Sequence, residues 1–164
     1  KGRRVFKPDG TYQKIAAVER HKNTGKIGVG IVKGFGLRGG AIASSVSHDS
    51  HNLIVIGDND HDMYLAVQEL LRTQGGYTLV ENGQVFDTLP LPIMGLMSDA
   101  GYEKVNEKLA RMISKAHEMG IPEGFDPFIT LSFMALPVIP EIRITPRGVY
   151  LTQEDRMIQS PFDR

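Results

Sequence analysis

The chain has 164 residues, with 19 basic side chains balancing 19 acidic ones, and it contains no cysteine. This composition excludes disulfides, zinc–thiolate sites and cysteine nucleophiles, and the balanced charge gives no general attraction for nucleic acid or anionic membranes. Because no apolar run reaches the roughly 20 residues of a membrane span and the amino end lacks the apolar stretch of a secretory signal, we expect a cytoplasmic protein.

Turn residues divide most of the chain into short predicted strands. Apolar and β-branched runs lie between turn signals, and Asn82-Gly83 marks the clearest hairpin, because this dipeptide accepts the positive φ angles of a type I′ turn. Residues 152–164 match no motif and are left as unassigned surface. The predicted strands cover, in chain order, residues 12–21, 26–35, 41–46, 53–56, 77–80, 84–91, 141–145 and 149–151.

Two amphipathic segments are predicted to be helices. The first begins where Asp58, Asn59 and Asp60 offer capping oxygens, carries apolar residues at helical spacing, and ends before Gly75. The second covers residues 102–119, with one apolar stripe opposite a charged face. Residues 126–136 fit either an alternating strand or a short buried helix. Two main helices among many hairpin-linked strands favour an α+β fold with a largely antiparallel sheet.

The glycine-rich segment at residues 34–40 is not a dinucleotide-binding fingerprint. That motif must open a helix directly after its strand, so that phosphate meets the helix amino terminus, whereas here another strand follows. Bulges and tight packing explain the glycines more simply. We keep Gly34, Phe35 and Gly36 as a candidate pocket-lining loop, because their backbone amides could face a ligand.

A segment rich in histidine and aspartate lies between two predicted strands. Three of the five histidines, His48, His51 and His61, fall in it together with four aspartates. Imidazole and carboxylate are suitable ligands for Zn, Mn or Fe. The aspartates near His61 are equally explained as helix caps that interact favourably with the helix dipole. The residues alone therefore leave three interpretations open: a metal site, a substrate-facing loop and a solvated turn.

The sequence around the motif HDSHN, residues 48–52, resembles a known family. The run GKIGVGIVKGFGLRGGAIASSVSHDSHNLIVIG, residues 25–57, is similar to the carboxy-terminal domain of bacterial and archaeal adenine deaminases, and the segments LPLPIMGLMSD and DPFITLSFMALPVIPEIRIT continue the resemblance. The resemblance implies that residues 1–164 are a single domain of a larger hydrolase of the amidohydrolase superfamily. That enzyme would convert adenine and water into hypoxanthine and ammonia, and we expect it to be a homo-oligomer.

The resemblance also implies where the metal lies. In that family the centre, with Mn or Fe, sits in a (β/α)₈ barrel built from an earlier part of the chain, and its first ligands form an H-x-H pair. This sequence contains no H-x-H, and a barrel alone needs roughly 250 residues. We therefore expect no metal ligand in this chain, no turnover by the isolated chain, and the barrel domain as its partner. Val5-Phe6, which looks like a strand entered midway, fits a piece of a longer polypeptide.

The same resemblance suggests a role for His48, Asp49, Ser50, His51 and Asn52. A domain that follows a barrel can close the open face of its active site by presenting a loop, and these side chains offer donors and acceptors for purine nitrogens or leaving ammonia. Our hypothesis is that His51 or Asp49 contacts the substrate or the groups around it. The alternatives are a turn that only holds its own shape, a non-catalytic purine-binding or oligomerisation module, and a small self-sufficient metal hydrolase that uses the three histidines.

Overall fold

Nine strands and three α-helices make up residues 6–158, the part of the chain that the computed structural model describes. The predicted α+β fold is confirmed. Within residues 6–158 no helix is long and apolar enough to cross a membrane, and Val5 lies outside this range. The elements are β1 (Tyr12–Val18), β2 (Ile27–Lys33), β3 (Gly40–Ser44), β4 (Leu53–Gly57), α1 (Asp60–Arg72), β5 (Gly76–Glu81), β6 (Gln84–Pro90), α2 (Tyr102–Glu118), α3 (Pro127–Phe133), β7 (Ile142–Thr145), β8 (Gly148–Leu151) and β9 (Arg156–Ile158).

Six strands form an antiparallel sheet with the order β2-β1-β4-β3-β5-β6. Strands β3 and β4 are neighbours at the centre of this sheet, and residues 45–52 connect them. The carboxyl end of β1 and the beginning of β5 lie at the same end of the sheet, because Val18 pairs with Leu53 and Ser44 pairs with Tyr77. The connection that carries HDSHN therefore emerges between these two strands.

Both faces of the large sheet are covered. Helix α1 packs its Met63, Ala66 and Leu70 on one face, while α2, α3 and the small sheet β7-β8-β9 cover the other. Every residue of β3 and β4 is consequently buried. This explains why the two strands read as continuous apolar runs instead of the alternating pattern of a sheet with one wet face.

The two sheets approach each other most closely at Gly28 of β2. A Cβ atom at this position would overlap the Thr145 carbonyl oxygen of β7. Glycine is therefore needed at position 28 for contact between the two backbones.

The ambiguous segment at residues 126–136 is resolved as the short helix α3. Asp126 Oδ1 accepts hydrogen bonds from the amides of Phe128 (2.8 Å) and Ile129 (3.0 Å), and Pro127 occupies the first turn. An acceptor at the cap and a proline at the first position both favour a helix start. The strand alternative is therefore wrong.

The carboxy-terminal part, left unassigned from sequence, contains a strand. Residues 156–158 form β9, which pairs with β8 in the small sheet. Three residues carry no recognisable alternation, so only the neighbouring strand reveals this element. Residues 159–164 lie outside the described part of the chain.

Candidate functional site

The HDSHN turn, residues 48–52, is closed by a pair of hydrogen bonds between Ser47 and His51. The His51 amide donates to the Ser47 carbonyl oxygen (2.6 Å), and the Ser47 amide donates to His51 Nδ1 (3.2 Å). His51 itself has a φ of +49°. Since Nδ1 accepts a hydrogen bond from the Ser47 amide, the neutral imidazole carries its own proton on Nε2.

The surroundings of His51 favour this neutral form. Partial burial lowers the pKa of the imidazole below its ordinary value of 6.5, and electrostatic interaction with His48 and with Arg20 lowers it further. Asp49 acts in the opposite direction with a weaker effect. Within residues 6–158, no hydrogen bond involves His51 Nε2, so this donor remains available to a group outside the described chain.

Helix α3 holds the first histidine of the turn. The His48 amide donates to the Ser132 carbonyl oxygen (3.2 Å), and the His48 ring stacks on Phe133 with 5.1 Å between ring centroids. The rings of His48 and His51 lie 5.5 Å apart. Asp49 follows with an exposed side chain, its Oδ1 3.8 Å from His48 Nδ1. The turn thus places two imidazoles and a carboxylate side by side.

The segment that follows β1 forms hydrogen bonds to the turn from the other side. Arg20 Nε donates to the His51 carbonyl oxygen (2.6 Å), and the Arg20 amide donates to Asn52 Oδ1 (3.3 Å). His21 Nε2 lies 2.6 Å from the Ser50 carbonyl oxygen and donates to it, because a carbonyl can only accept. Sequence reasoning missed Arg20 and His21, since two basic residues at the end of a predicted strand carry no motif.

Glu19 shapes the connection that carries these two residues. Its carboxylate accepts hydrogen bonds from the amides of His21 (2.6 Å), Lys22 (2.7 Å) and Thr24 (3.0 Å). These bonds, with that of Thr24 the largest cause, lower the pKa of Glu19 to about 2. The short loop expected between the predicted strands 12–21 and 26–35 is therefore replaced by a longer connection, residues 19–26, folded around one carboxylate.

Arg20 also ties the HDSHN turn to a second loop, the Met94 turn, defined as residues 93–97. Arg20 Nη2 donates to the Met94 carbonyl oxygen (2.7 Å), and Ser45 Oγ donates to the Gly95 carbonyl oxygen (2.6 Å). Gly95 has a φ of +75°, and a Cβ atom there would overlap the Arg20 guanidinium. Among the described residues no carboxylate forms an ion pair with Arg20, so the guanidinium serves to join two backbone segments.

We expect Arg20→Ala to lower the free energy of unfolding of the 164-residue chain by about 1.5–3 kcal/mol, because hydrogen bonds from a charged donor to the carbonyl oxygens of His51 and Met94 are lost. Urea unfolding followed by circular dichroism measures this. Lys22→Ala is the matched control, since this neighbouring lysine is exposed and makes no side-chain hydrogen bond or ion pair within residues 6–158. Equal stability of the two variants would contradict a stabilising role for the Arg20 hydrogen bonds.

A cleft of about 830 Å³ borders the turn on the side of the small sheet. Asp49, Ser50 and Asn52 lie on its wall, and neither His48 nor His51 does. Apolar residues of the small sheet and of the segment before it supply much of the remaining surface, among them Pro137, Val138, Ile144, Pro146 and Met157. The residues of the turn therefore face two different regions, with the His48 ring turned toward α3.

The candidate loop at Gly34, Phe35 and Gly36 runs from the surface into the core, with Gly34 exposed and Gly36 half-buried. Phe35 is buried and meets Phe125 edge to face, with 5.8 Å between ring centroids. A Cβ atom at Gly36 would press on the Gly120 carbonyl oxygen. None of the three residues lines the cleft beside the HDSHN turn.

His61 is not brought to the other two histidines. It lies in the first turn of α1, with Nδ1 3.2 Å from Asp62 Oδ1 and its ring beside Gly83. Asp58 accepts hydrogen bonds from the amides of Gly39 and Gly40, so its carboxylate serves the backbone. In the described part of the chain, no group of three or more His, Asp or Glu side chains could hold a metal ion.

Comparison with known proteins identifies the family. The family model described as the adenine deaminase C-terminal domain matches residues 1–156. The chain belongs to this family. The resemblance read from the HDSHN motif and its surroundings is thereby confirmed.

Adenine deaminases of several bacteria are similar to this member of the family. The chain is 58% identical over 154 residues to that of Desulfitobacterium hafniense, covering 94% of the chain and 27% of the relative. It is 55% identical over 146 residues to that of Nitratidesulfovibrio vulgaris (88% and 25%) and 49% identical over 149 residues to that of Bacillus subtilis (90% and 26%). The chain thus spans about a quarter of the length of these curated relatives.

Proposed function

We propose that this chain works as the carboxy-terminal part of an enzyme that hydrolyses adenine to hypoxanthine and ammonia, with the HDSHN turn closing the active site. Family membership and the relatives named adenine deaminase support this activity. In the reaction, water adds at C6 of the purine and the exocyclic amine leaves with a proton as ammonia. Hydrogen-bond donors and acceptors near C6 would stabilise the charge that develops in this step.

The geometry of His51 and Asp49 is the observation that carries the proposed role of the turn. His51 is held neutral and keeps an Nε2 proton that no described group accepts, so it suits donation to a purine ring nitrogen or to the oxygen that adds at C6. Asp49 is exposed next to it and suits acceptance of a proton from the amine or the attacking water. His51 thus offers a donor and Asp49 an acceptor on different sides of the turn, and the proposal needs only one of them to contact the substrate.

The family implies a metal, Mn or Fe, that would activate the attacking water. The residues of this chain do not fit such a group, because residues 6–158 contain no ligand cluster for it. We assign the metal to the part of the enzyme outside this chain. His51 and Asp49 accordingly act on substrate or on the groups around it and not as metal ligands.

We expect no ammonia release from adenine by the purified 164-residue chain supplied with Mn²⁺, while the full-length enzyme turns over under the same conditions. A coupled glutamate dehydrogenase assay measures ammonia, and circular dichroism shows that the isolated chain is folded. Release by the isolated chain at an enzyme-like rate would contradict our assignment of the metal to the rest of the enzyme. It would favour a self-sufficient metal site among the histidines.

A second candidate function is a non-catalytic purine-binding module. The cleft of about 830 Å³ favours it, because its wall combines Asp49, Ser50 and Asn52 with apolar surface, as ligand pockets do. Calorimetry with adenine and the isolated chain separates the two functions. Tight binding without turnover, unchanged in the His51→Ala variant, would favour the module.

A further inference from the structure

We propose that five exposed apolar residues on both sides of the HDSHN turn form a docking face for the remaining part of the same polypeptide. The inference rests on the proposed function, because it names the partner that the turn meets. The docking face consists of Ile93, Met94, Met97, Ile129 and Phe133.

Helix α3 supplies one half of the docking face. Its inner side is buried through Phe128 and Leu131, yet Ile129 is 55% exposed and Phe133 is also exposed. Ile129 and Phe133 are four residues apart and share one face of the helix. A helix that is apolar on both sides is typical of a buried environment. The outer side of α3 therefore requires a further layer of protein.

The Met94 turn supplies the other half. Met94 is 75% exposed at its tip, and Ile93 and Met97, which bridge each other at its base, are also exposed. Arg20 and Ser45 hold the turn through the carbonyl oxygens of Met94 and Gly95. An anchored loop that presents methionine to solvent suits an interface, because the flexible thioether adapts to the surface it meets.

The two halves are joined through the HDSHN turn itself. Phe133 stacks on His48, the His48 ring lies 5.5 Å from that of His51, and Arg20 bridges the carbonyl oxygens of His51 and Met94. Phe133 thus meets the turn at His48, and Met94 is linked to it at His51 through Arg20. A contiguous exposed apolar patch edged by polar groups marks an interaction site.

The size of the relatives identifies the occupant. This chain covers only 25–27% of the length of the adenine deaminases it matches, so the larger part of such an enzyme lies outside it. The proposed active site must include groups from that larger part, since the described residues hold no metal cluster. A face that surrounds the substrate-contacting turn must therefore meet the segment that binds the metal, which commits the proposal to the same polypeptide over a second copy.

The test uses the full-length enzyme with Met94→Asp and Ile129→Asp, alone and together. Tyr64→Asp and Leu71→Asp are matched controls, because these residues are 62% and 60% exposed on α1, which covers the opposite face of the large sheet. A carboxylate placed in an apolar contact costs free energy, whereas one in solvent does not. We expect the docking variants to lower kcat/KM for adenine at least tenfold and to speed hydrogen exchange in residues 93–97 and 127–133, and the controls to stay within about twofold of wild type.

Each other outcome overturns the proposal in a distinguishable way. Normal turnover and unchanged exchange in the double docking variant, with His51→Ala inactive, would refute the docking face and leave the proposed function standing. Normal turnover in the double docking variant and in His51→Ala would refute both the docking face and the proposed function. Dissociation of an oligomer by sedimentation, with unchanged exchange and turnover per subunit, would assign the face to a second copy. If an aspartate variant fails to fold, Met94→Ala and Ile129→Ala provide the same comparison.

Discussion

The His51→Ala substitution in the full-length enzyme is expected to lower kcat for adenine about 100- to 1,000-fold, the usual cost of removing one hydrogen-bond donor aimed at developing charge. His51 Nδ1 is occupied by the Ser47 amide, so the remaining donor is Nε2–H. His51→Gln keeps a donor near that position and is expected to retain more activity than the alanine variant. Steady-state ammonia release measures both.

His61→Ala is the matched control for this experiment. His61 is exposed at the start of α1 and pairs with Asp62, away from the HDSHN turn. We expect the turnover of the His61→Ala enzyme to stay within about twofold of wild type. Equal loss of activity in the two alanine variants would contradict a specific role for His51, and undiminished activity in His51→Ala would leave the turn with a purely structural function.

We expect both stability and kcat to fall at acid pH because His51 becomes protonated. Because the pKa of folded His51 lies below 6.5, the folded state binds fewer protons there than the unfolded state. Its contribution to stability is present above about pH 6.5 and is lost as the pH falls through the lowered pKa. Protonation of Nδ1 also breaks the bond from the Ser47 amide, so kcat falls over the same acid range. This fall in kcat is expected to be absent from the pH profile of the His51→Gln variant.

The Phe128→Ala substitution is expected to lower the free energy of unfolding by about 3–5 kcal/mol, as other buried phenylalanines do when they are truncated. Phe128 is 1% exposed, packs against Tyr77 with 4.9 Å between ring centroids, and anchors α3 in the main core. Since α3 holds His48 through Ser132 and Phe133, the HDSHN turn loses its support as well. Urea unfolding of the 164-residue chain measures the change.

Ile129→Ala provides the comparison on the same helix. Ile129 is exposed in this chain, so its truncation is expected to change stability by no more than roughly 0.5 kcal/mol. Equal destabilisation by the two substitutions would mean that α3 is not anchored through Phe128. In the full-length enzyme we expect Ile129→Ala to have a larger effect than in the 164-residue chain, because Ile129 belongs to the proposed docking face.

Much of the fold could be predicted because its signals are local. The continuous apolar runs of β3 and β4, the Asn82-Gly83 turn and the capped α1 all appear in the structure. Helix α3 had a local signal too, in Asp126 followed by Pro127, but alternating apolar residues competed with it. Strand β9 had none, since three residues acquire strand geometry only from pairing with β8.

The sequence by itself determined the family, through the HDSHN motif and the runs around it, and the α+β class, through turn chemistry and apolar periodicity. Tertiary structure alone decided which groups meet. Arg20 reaches His51 and Met94 across 31 and 74 positions of the chain, while His61, only ten residues after His51, lies elsewhere. The physical reason is that contacts between side chains depend on which strands become neighbours in the sheet. That arrangement results from the packing of the whole core, and no short pattern encodes it.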